Sequence, residues 1–341
     1  MFNNTNDTVF FNDDEIIHFI KTENQNDIEA LFAQARKVRE EHYGKSVFIR
    51  GLIEFTNHCK CDCYYCGIRC SNTKLERFRL SLDEILNCCR TGDRLGLKTF
   101  VLQGGEDPWF STKRVTEIVS AIRQEFPDHA ITLSIGERHE SDYELFSRAG
   151  VNRYLLRHET ADEKHYALLH PPSQNLADRK RCLWSLKKIG FQVGAGFMVG
   201  SPHQTPLTLL ADIRFLEELQ PQMVGIGPFI PQKDTPFSEY PHGNLTLCLK
   251  MLAITRILLP KALIPATTAM GSIAHNGREL ALKAGANVVM PNLSPPDVKK
   301  LYAIYDNKAY GGPEAAENLA LLKQKIINAG YEPDMNRGDA M

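Results

Sequence analysis

Apolar runs of strand length recur along the chain, with segments of helical periodicity between them. Eight can be counted: Ile49–Asn57, Thr99–Glu106, Ala130–Glu137, Arg153–Glu159, Val193–Gly200, Met223–Ile230, Leu263–Met270 and Ala286–Asn292. Helical spacing of apolar positions marks Ser81–Leu95, Thr112–Phe126, Leu176–Ile189 and Pro206–Leu219. Ser81-Leu82-Asp83-Glu84 reads as a capping box opening the first of these. Gly150, Gly190 and Gly285 stand where helices should end. A polar, amphipathic stretch covers about residues 12–42, and Pro313–Ala329 looks helical before a polar tail.

Strands alternating with helices over roughly 250 residues predict a parallel α/β domain, expected to be a complete (β/α)8 TIM-type barrel with N- and C-terminal helical extensions. An open doubly wound sheet is the alternative, because a strand count does not detect closure. The expected division is a helical extension over 1–44, the barrel over 45–310 and a C-terminal helix and tail over 311–341.

The formal net charge of −1 argues against a broad electrostatic footprint for nucleic acid or a membrane. No apolar run is long enough to span a bilayer, and Met1-Phe2-Asn3-Asn4-Thr5-Asn6-Asp7 does not read as a signal peptide, so a soluble, cytoplasmic protein is expected.

The chemistry concentrates in one loop. Five of the nine cysteines fall within twelve residues: Cys59, Cys61, Cys63, Cys66 and Cys70. Thiolates suit iron–sulfur clusters and zinc. Structural zinc commonly takes two separated Cys-x2-Cys pairs, whereas only Cys63 and Cys66 form one here. Cys59, Cys63 and Cys66 can hold three corners of a cubane and leave its fourth iron open. Cys61 or Cys70 could supply a fourth ligand, which keeps zinc or a closed cluster as the rival reading. The expected strands end in polar residues: Gln103-Gly104-Gly105-Glu106-Asp107-Pro108, Ser134-Ile135-Gly136-Glu137 and Arg157-His158-Glu159-Thr160. In a β/α fold those ends build the active-site rim. Alternation puts Arg157 and Glu159 on one face of their strand and His158 on the other. Gly194, Gly196, Met198 and Gly200 share a face of the fifth strand, where missing side chains would leave room for a ligand.

The pattern Cys59, Cys63, Tyr65, Cys66 and the strand end Gly104-Gly105-Glu106-Asp107-Pro108 resemble the radical SAM enzymes. That resemblance implies one 4Fe–4S cluster on Cys59, Cys63 and Cys66, with S-adenosylmethionine as the second cofactor. It also implies a low-potential reductant. It places Tyr65, Gly104, Gly105, Glu106, Ser134, Glu159, Arg179 and Met223 around the cofactor, with Arg179 pairing the methionyl carboxylate and Met223 near the adenine.

Longer strings resemble the FeFe-hydrogenase maturase branch of that family, among them Val101–Pro108, Arg153–Ala161, Met223–Pro231, Ile264–Gly271 and Gly285–Asn292. On this resemblance the adenosyl radical serves assembly of the hydrogenase's organometallic H-cluster. The catalytic residues would be Arg157, Thr267, Thr268 and Tyr302, and Arg50, Gln103, Thr132, Met290 and Tyr305 would share the substrate side. Implied partners are a small organometallic or amino-acid-derived substrate and, transiently, other maturases. No cysteine follows Cys248, so a second cluster near the C-terminus is not expected. The alternative function is a radical SAM mutase or sulfur-inserting enzyme of the biotin synthase or methylornithine synthase type. A non-catalytic cluster or zinc scaffold is the last reading.

Overall fold

A computed structural model describes residues 11–308 and 316–341. Two helices come first, α1 (Asp13–Lys21) and α2 (Gln25–Tyr43). The chain then runs β1 (Ser46–Ile49), β2 (Gly51–Thr56), α3 (Leu82–Arg94), β3 (Thr99–Gly104), α4 (Thr112–Glu125) and β4 (Ala130–Ser134). Next come α5 (Glu140–Ala149), β5 (Arg153–Leu155), α6 (Glu163–Leu169), α7 (Leu176–Ile189), β6 (Gln192–Val199), α8 (Pro206–Leu219) and β7 (Met223–Pro228). The rest is α9 (Leu245–Leu258), α10 (Thr268–Ile273), α11 (Gly277–Lys283), β8 (Val288–Val289), α12 (Pro296–Lys299), α13 (Leu319–Asn328) and β9 (Glu332–Asp334).

The closed eight-stranded barrel is corrected by this topology. The hydrogen-bonded ladders form an open, parallel six-stranded sheet in the order β2-β3-β4-β5-β6-β7, beside a separate three-stranded sheet in the order β8-β1-β9. The seventh expected strand, Leu263–Met270, makes only single bridges, Met223 with Leu263 and Pro265 with Val288. The cause is local: Pro265 has no amide to donate, and Thr268 already begins α10. The eighth run shrinks to Val288–Val289 because Pro291 interrupts it. The first run breaks at Arg50: Ile49 ends β1 in one sheet, and Gly51–Thr56 form β2 in the other.

The helices follow their sequence signals. Glu84 N–H donates to Ser81 Oγ at 3.3 Å and Ser81 N–H to Glu84 Oε2 at 2.7 Å, so the capping box is made. Gly150 and Gly190 close α5 and α7 with left-handed backbone, φ 107° and 98°. Helix α9 is buried along almost its whole length, packed against α2 and β7. The expected C-terminal helix starts, and the 310/311 division falls, outside the described residues.

The far end of the sheet, away from the strand C-termini, is closed by the C-terminal tail. Arg153 donates to the Arg337 carbonyl at 2.9 Å and pairs with Asp339 at 2.5 Å. Arg50 donates to the Gly338 carbonyl at 2.8 Å. Arg50 is therefore held by the tail rather than set in the substrate pocket.

Candidate active site

The loop after β2 is wound around one guanidinium. Arg77 donates to the backbone carbonyls of Asn57, Ile68, Arg69 and Asn72 at 2.5 to 3.0 Å. A four-way anchor of this kind fixes a loop that has no regular structure of its own. The segment after β3 is fastened to the same base, since Asp107 accepts from Arg79 Nε at 2.7 Å and Thr56 Oγ1 at 2.8 Å. With both segments anchored, Cys59 meets the end of β3, and its Sγ accepts from Glu106 N–H at 3.3 Å.

Cys59, Cys63 and Cys66 line one cavity of about 340 Å³ at the C-terminal ends of the strands. Burial pushes the Cys63 thiol up to about 12 and raises that of Cys66 as well. Cys61 lines the same cavity, while Cys70 is exposed. Among the described residues, no three His, Cys, Asp or Glu side chains converge closely enough to hold a single metal ion.

Of the remaining expected site residues, Tyr65, Gly104, Gly105, Glu106, Arg157, Glu159, Arg179, Thr267, Thr268 and Tyr302 also line the cavity. Ser134 and Met223 do not. Ser134 ends β4 in register with Gln103. Met223 opens β7 and packs with Tyr43, Phe48, Leu263 and Val288, at the start of its strand rather than at the cavity end. The glycines of β6 do not hollow out the site as expected. A Cβ on Gly196 would lie 2.0 Å from the Gly225 carbonyl oxygen, so its missing side chain admits neighbouring backbone. Gly225 and Gly227 of β7 line the cavity instead.

Polar pairs organise the wall. Arg179 is buried and its Nε lies 2.7 Å from Glu137 Oε1. Burial raises the Glu137 carboxyl, with Arg179 pulling the other way. Glu137 N–H in turn donates to Glu106 Oε1 at 2.9 Å, tying the ends of two strands together. Arg157 pairs with Glu159 at 3.1 Å. Glu159 has left-handed backbone, φ 66°, which is costly for a residue with a Cβ and is found where function demands it. His158, facing away from the cavity, supports that turn: its Nδ1 accepts from Gly196 N–H at 3.3 Å and its Nε2 lies 3.3 Å from Asp212.

Sequence reasoning missed four members of this neighbourhood. Glu137 was seen only as a polar strand end and His170 not at all. Glu54 and Lys308 form an ion pair in the wall. The signal for Glu54 was a carboxylate inside an otherwise apolar strand, all six residues of which are buried.

His170 lies behind Tyr65. Its Nδ1 sits 2.9 Å from the Tyr166 carbonyl and so carries the proton, leaving Nε2 to accept from Tyr65 Oη at 3.1 Å. Burial drives His170 down to about 3. The unfolded chain then binds the extra proton between pH 6.5 and 3, so this group costs stability as pH falls below about 6.5, by about 1.4 kcal/mol per pH unit. His170→Gln should lose less unfolding free energy than wild type between pH 7 and 5.5, measured by denaturant titration. Equal losses would mean that His170 is not neutral in the fold.

The cysteine loop, the anchored glycine strand end and the buried arginine at one cavity define a class, and comparison with known proteins gives the same class. Residues 53–216 match the family model described as the radical SAM superfamily. The chain is 47% identical over 310 residues to the [FeFe] hydrogenase maturase subunit HydE of Thermotoga maritima, covering 91% of this chain and 88% of that protein. It is 30% identical over 323 residues to the 3-methylornithine synthase of Methanosarcina acetivorans, covering 94% and 90%. A crystal structure of methylornithine synthase (PylB) superposes with a TM-score of 0.83 at 27% identity, covering 95% of this chain and 94% of that one. The chain belongs to the radical SAM superfamily and is a radical SAM enzyme. At the family level this means use of S-adenosylmethionine together with a 4Fe–4S cluster. Among the described residues no helix is long and apolar enough to cross a membrane.

Proposed function

We propose that this chain reductively cleaves S-adenosylmethionine and turns the resulting 5′-deoxyadenosyl radical on a small substrate bearing an amino-acid head. The single observation that carries the reading is the shared cavity, where three cysteines of one loop face Arg157, Glu159, Thr267 and Tyr302. The residues fit such a cofactor pair. Soft ligands line one side, and Arg157 Nε and Thr267 Oγ1 are buried in the wall without hydrogen-bond partners. Cys59, Cys63 and Cys66 would hold the cluster, which supplies the electron that breaks the sulfonium bond. Arg179 orients the methionyl carboxylate through its guanidinium fork, with Glu137 fixing the fork from behind. Tyr65, braced by His170, packs beside the cysteines and limits water. A closed wall confines a reactive radical and limits its side reactions before it reaches its target.

Two finer readings follow. Assembly of the FeFe-hydrogenase H-cluster, with transient contact to other maturases, is supported by the 47% identity to HydE. Rearrangement or sulfur insertion on an amino acid or cofactor precursor has the broader support. Two 3-methylornithine synthases at 30% identity favour it, several biotin synthases at lower identity recur beside them, and the solved methylornithine synthase matches along nearly its full length. Anaerobic maturation of apo-hydrogenase, with this chain added to or left out of the other maturases, separates the two. Hydrogen evolution that depends on the chain selects the first; 5′-deoxyadenosine formed without any hydrogen selects the second.

Arg179→Lys should weaken S-adenosylmethionine binding about tenfold or more, because a point charge replaces a bidentate fork. Unchanged affinity by equilibrium dialysis would remove Arg179 from the methionyl site.

A further inference from the structure

In the wall of the same cavity as the cysteines lies a cation site that the chain fills itself. Glu54 projects from β2 with 1% of its side chain exposed. Its Oε2 accepts from Asn292 Nδ2 at 2.8 Å, and its backbone N–H donates to Ser294 Oγ at 2.7 Å. Oε1 is taken by the ammonium of Lys308. The same ammonium donates to the Tyr302 carbonyl at 3.2 Å and sits 4.7 Å from the centre of the Tyr302 ring. A carboxylate, a carbonyl and an aromatic face thus converge on one point, and each favours a primary ammonium.

Lys308 reaches that point from outside the sheet. The strap 301–308 crosses the cavity mouth, tied by Gly67 N–H to the Ile304 carbonyl at 2.9 Å and by Asp306 N–H to the Pro231 carbonyl at 3.0 Å. Asn307 then takes left-handed backbone, φ 54°, immediately before Lys308. Glu54 and Asn292 are fixed by the sheet and by the segment after β8. Their cation arrives on a flexible four-carbon stem, which can withdraw while the sheet that holds the carboxylate stays in place. A carboxylate this deeply buried is costly without a counter-charge, so a second cation is the natural replacement for Lys308. Arg157, in the wall of the same cavity and paired with Glu159, has an Nε with no hydrogen-bond partner among the described residues and can offer it to the opposite charge.

We infer that Glu54, Asn292 and Tyr302 form the pocket for the substrate's ammonium group, and that Lys308 occupies it until that ammonium displaces it. The inference rests on the amino-acid reading above for its substrate class. The pocket selects a primary ammonium and rejects the acylated amine, while Lys308 keeps the carboxylate paired between turnovers.

The test is thermal unfolding of the cluster-loaded protein with named amines. Lys308→Ala removes the stem beyond Cβ, which n-propylammonium replaces atom for atom. In that variant n-propylammonium should give a saturable rise in midpoint of about 2 °C or more, absent from wild type and from Glu54→Gln/Lys308→Ala. L-cysteine or L-lysine should protect Lys308→Ala likewise, and their Nα-acetyl and Nα,Nε-diacetyl forms, respectively, should not. If Lys308→Ala does not fold, Lys308→Met with the ammonium ion serves, since it keeps the stem over Tyr302 and lacks only the terminal nitrogen. No amine-specific shift overturns the pocket. Protection by the alkylammonium but by neither amino acid reduces the pair to a structural bridge and overturns the substrate role. The 5′-deoxyadenosine assay on wild type runs separately: its failure condemns the radical reading and leaves the amine result standing.

Discussion

Cys63→Ala should give a folded protein that carries no cluster and makes no 5′-deoxyadenosine above background. Three protein thiolates are the least that hold a cubane while leaving one iron open, so the loop has no ligand to spare. The cost to folding is small by comparison. Cys63 belongs to a loop held by Arg77 and Asp107, and truncating one such side chain costs about 1 kcal/mol, well short of unfolding a domain. Among the described residues, the further cysteine placed to rescue the variant is Cys61, which lines the same cavity and whose N–H reaches Cys59 Sγ at 3.4 Å. Cys61→Ala is therefore the control and should keep both iron and product. Iron and sulfide per chain, with product measured under anaerobic reduction, decide the matter. Wild-type iron in Cys63→Ala would move the ligand set to Cys61 and sink the assignment.

Local signals predicted local structure, and pairings between distant segments stayed hidden. Strands β2 to β7 and helices α3, α4, α7 and α8 follow directly from periodicity and caps, because each is decided within a dozen residues. Closure depended on two segments where proline removes the donor, Pro265 and Pro291, and there the ladder fails. Strand β9 escaped notice because Glu332-Pro333-Asp334 has none of the apolar alternation of a strand; it pairs only at the edge of β1, where a proline is tolerated. The site divides along the same line. The cysteine spacing and Gly104-Gly105-Glu106 are contiguous and could be read. The ion pairs Arg179 with Glu137 and Lys308 with Glu54 join positions 42 and 254 residues apart, and no spacing rule announces them. Met223 shows the converse hazard: a residue in a recognisable string can sit at the wrong end of its strand.

The glycine strand end matters less for flexibility than for the room it leaves. Gly105, just past the end of β3, passes under the cysteine loop: a Cβ there would lie 2.3 Å from the His58 carbonyl oxygen and 2.7 Å from Cys59 Cβ. Both obstacles belong to the loop itself, next to the first cysteine, so neither can swing aside as a long side chain would. Gly105→Ala should therefore push Cys59 away from the strand and break the Glu106 N–H to Cys59 Sγ contact of 3.3 Å. Overpacking of this kind costs about 1–3 kcal/mol, which the fold survives. A shift of about 1 Å between reacting groups costs about 100-fold in rate, so 5′-deoxyadenosine formation should fall by about that factor or more. Gly104→Ala is the graded comparison. Its nearest obstacle is the Thr56 Cγ2 methyl at 2.7 Å, a side-chain group on the neighbouring strand, and the loss should be smaller. The cluster's electron paramagnetic resonance spectrum should change in Gly105→Ala before its unfolding midpoint does. Wild-type turnover in Gly105→Ala would mean that the loop finds its position without the strand, and the close approach at Gly105 would then have no part in setting the cluster.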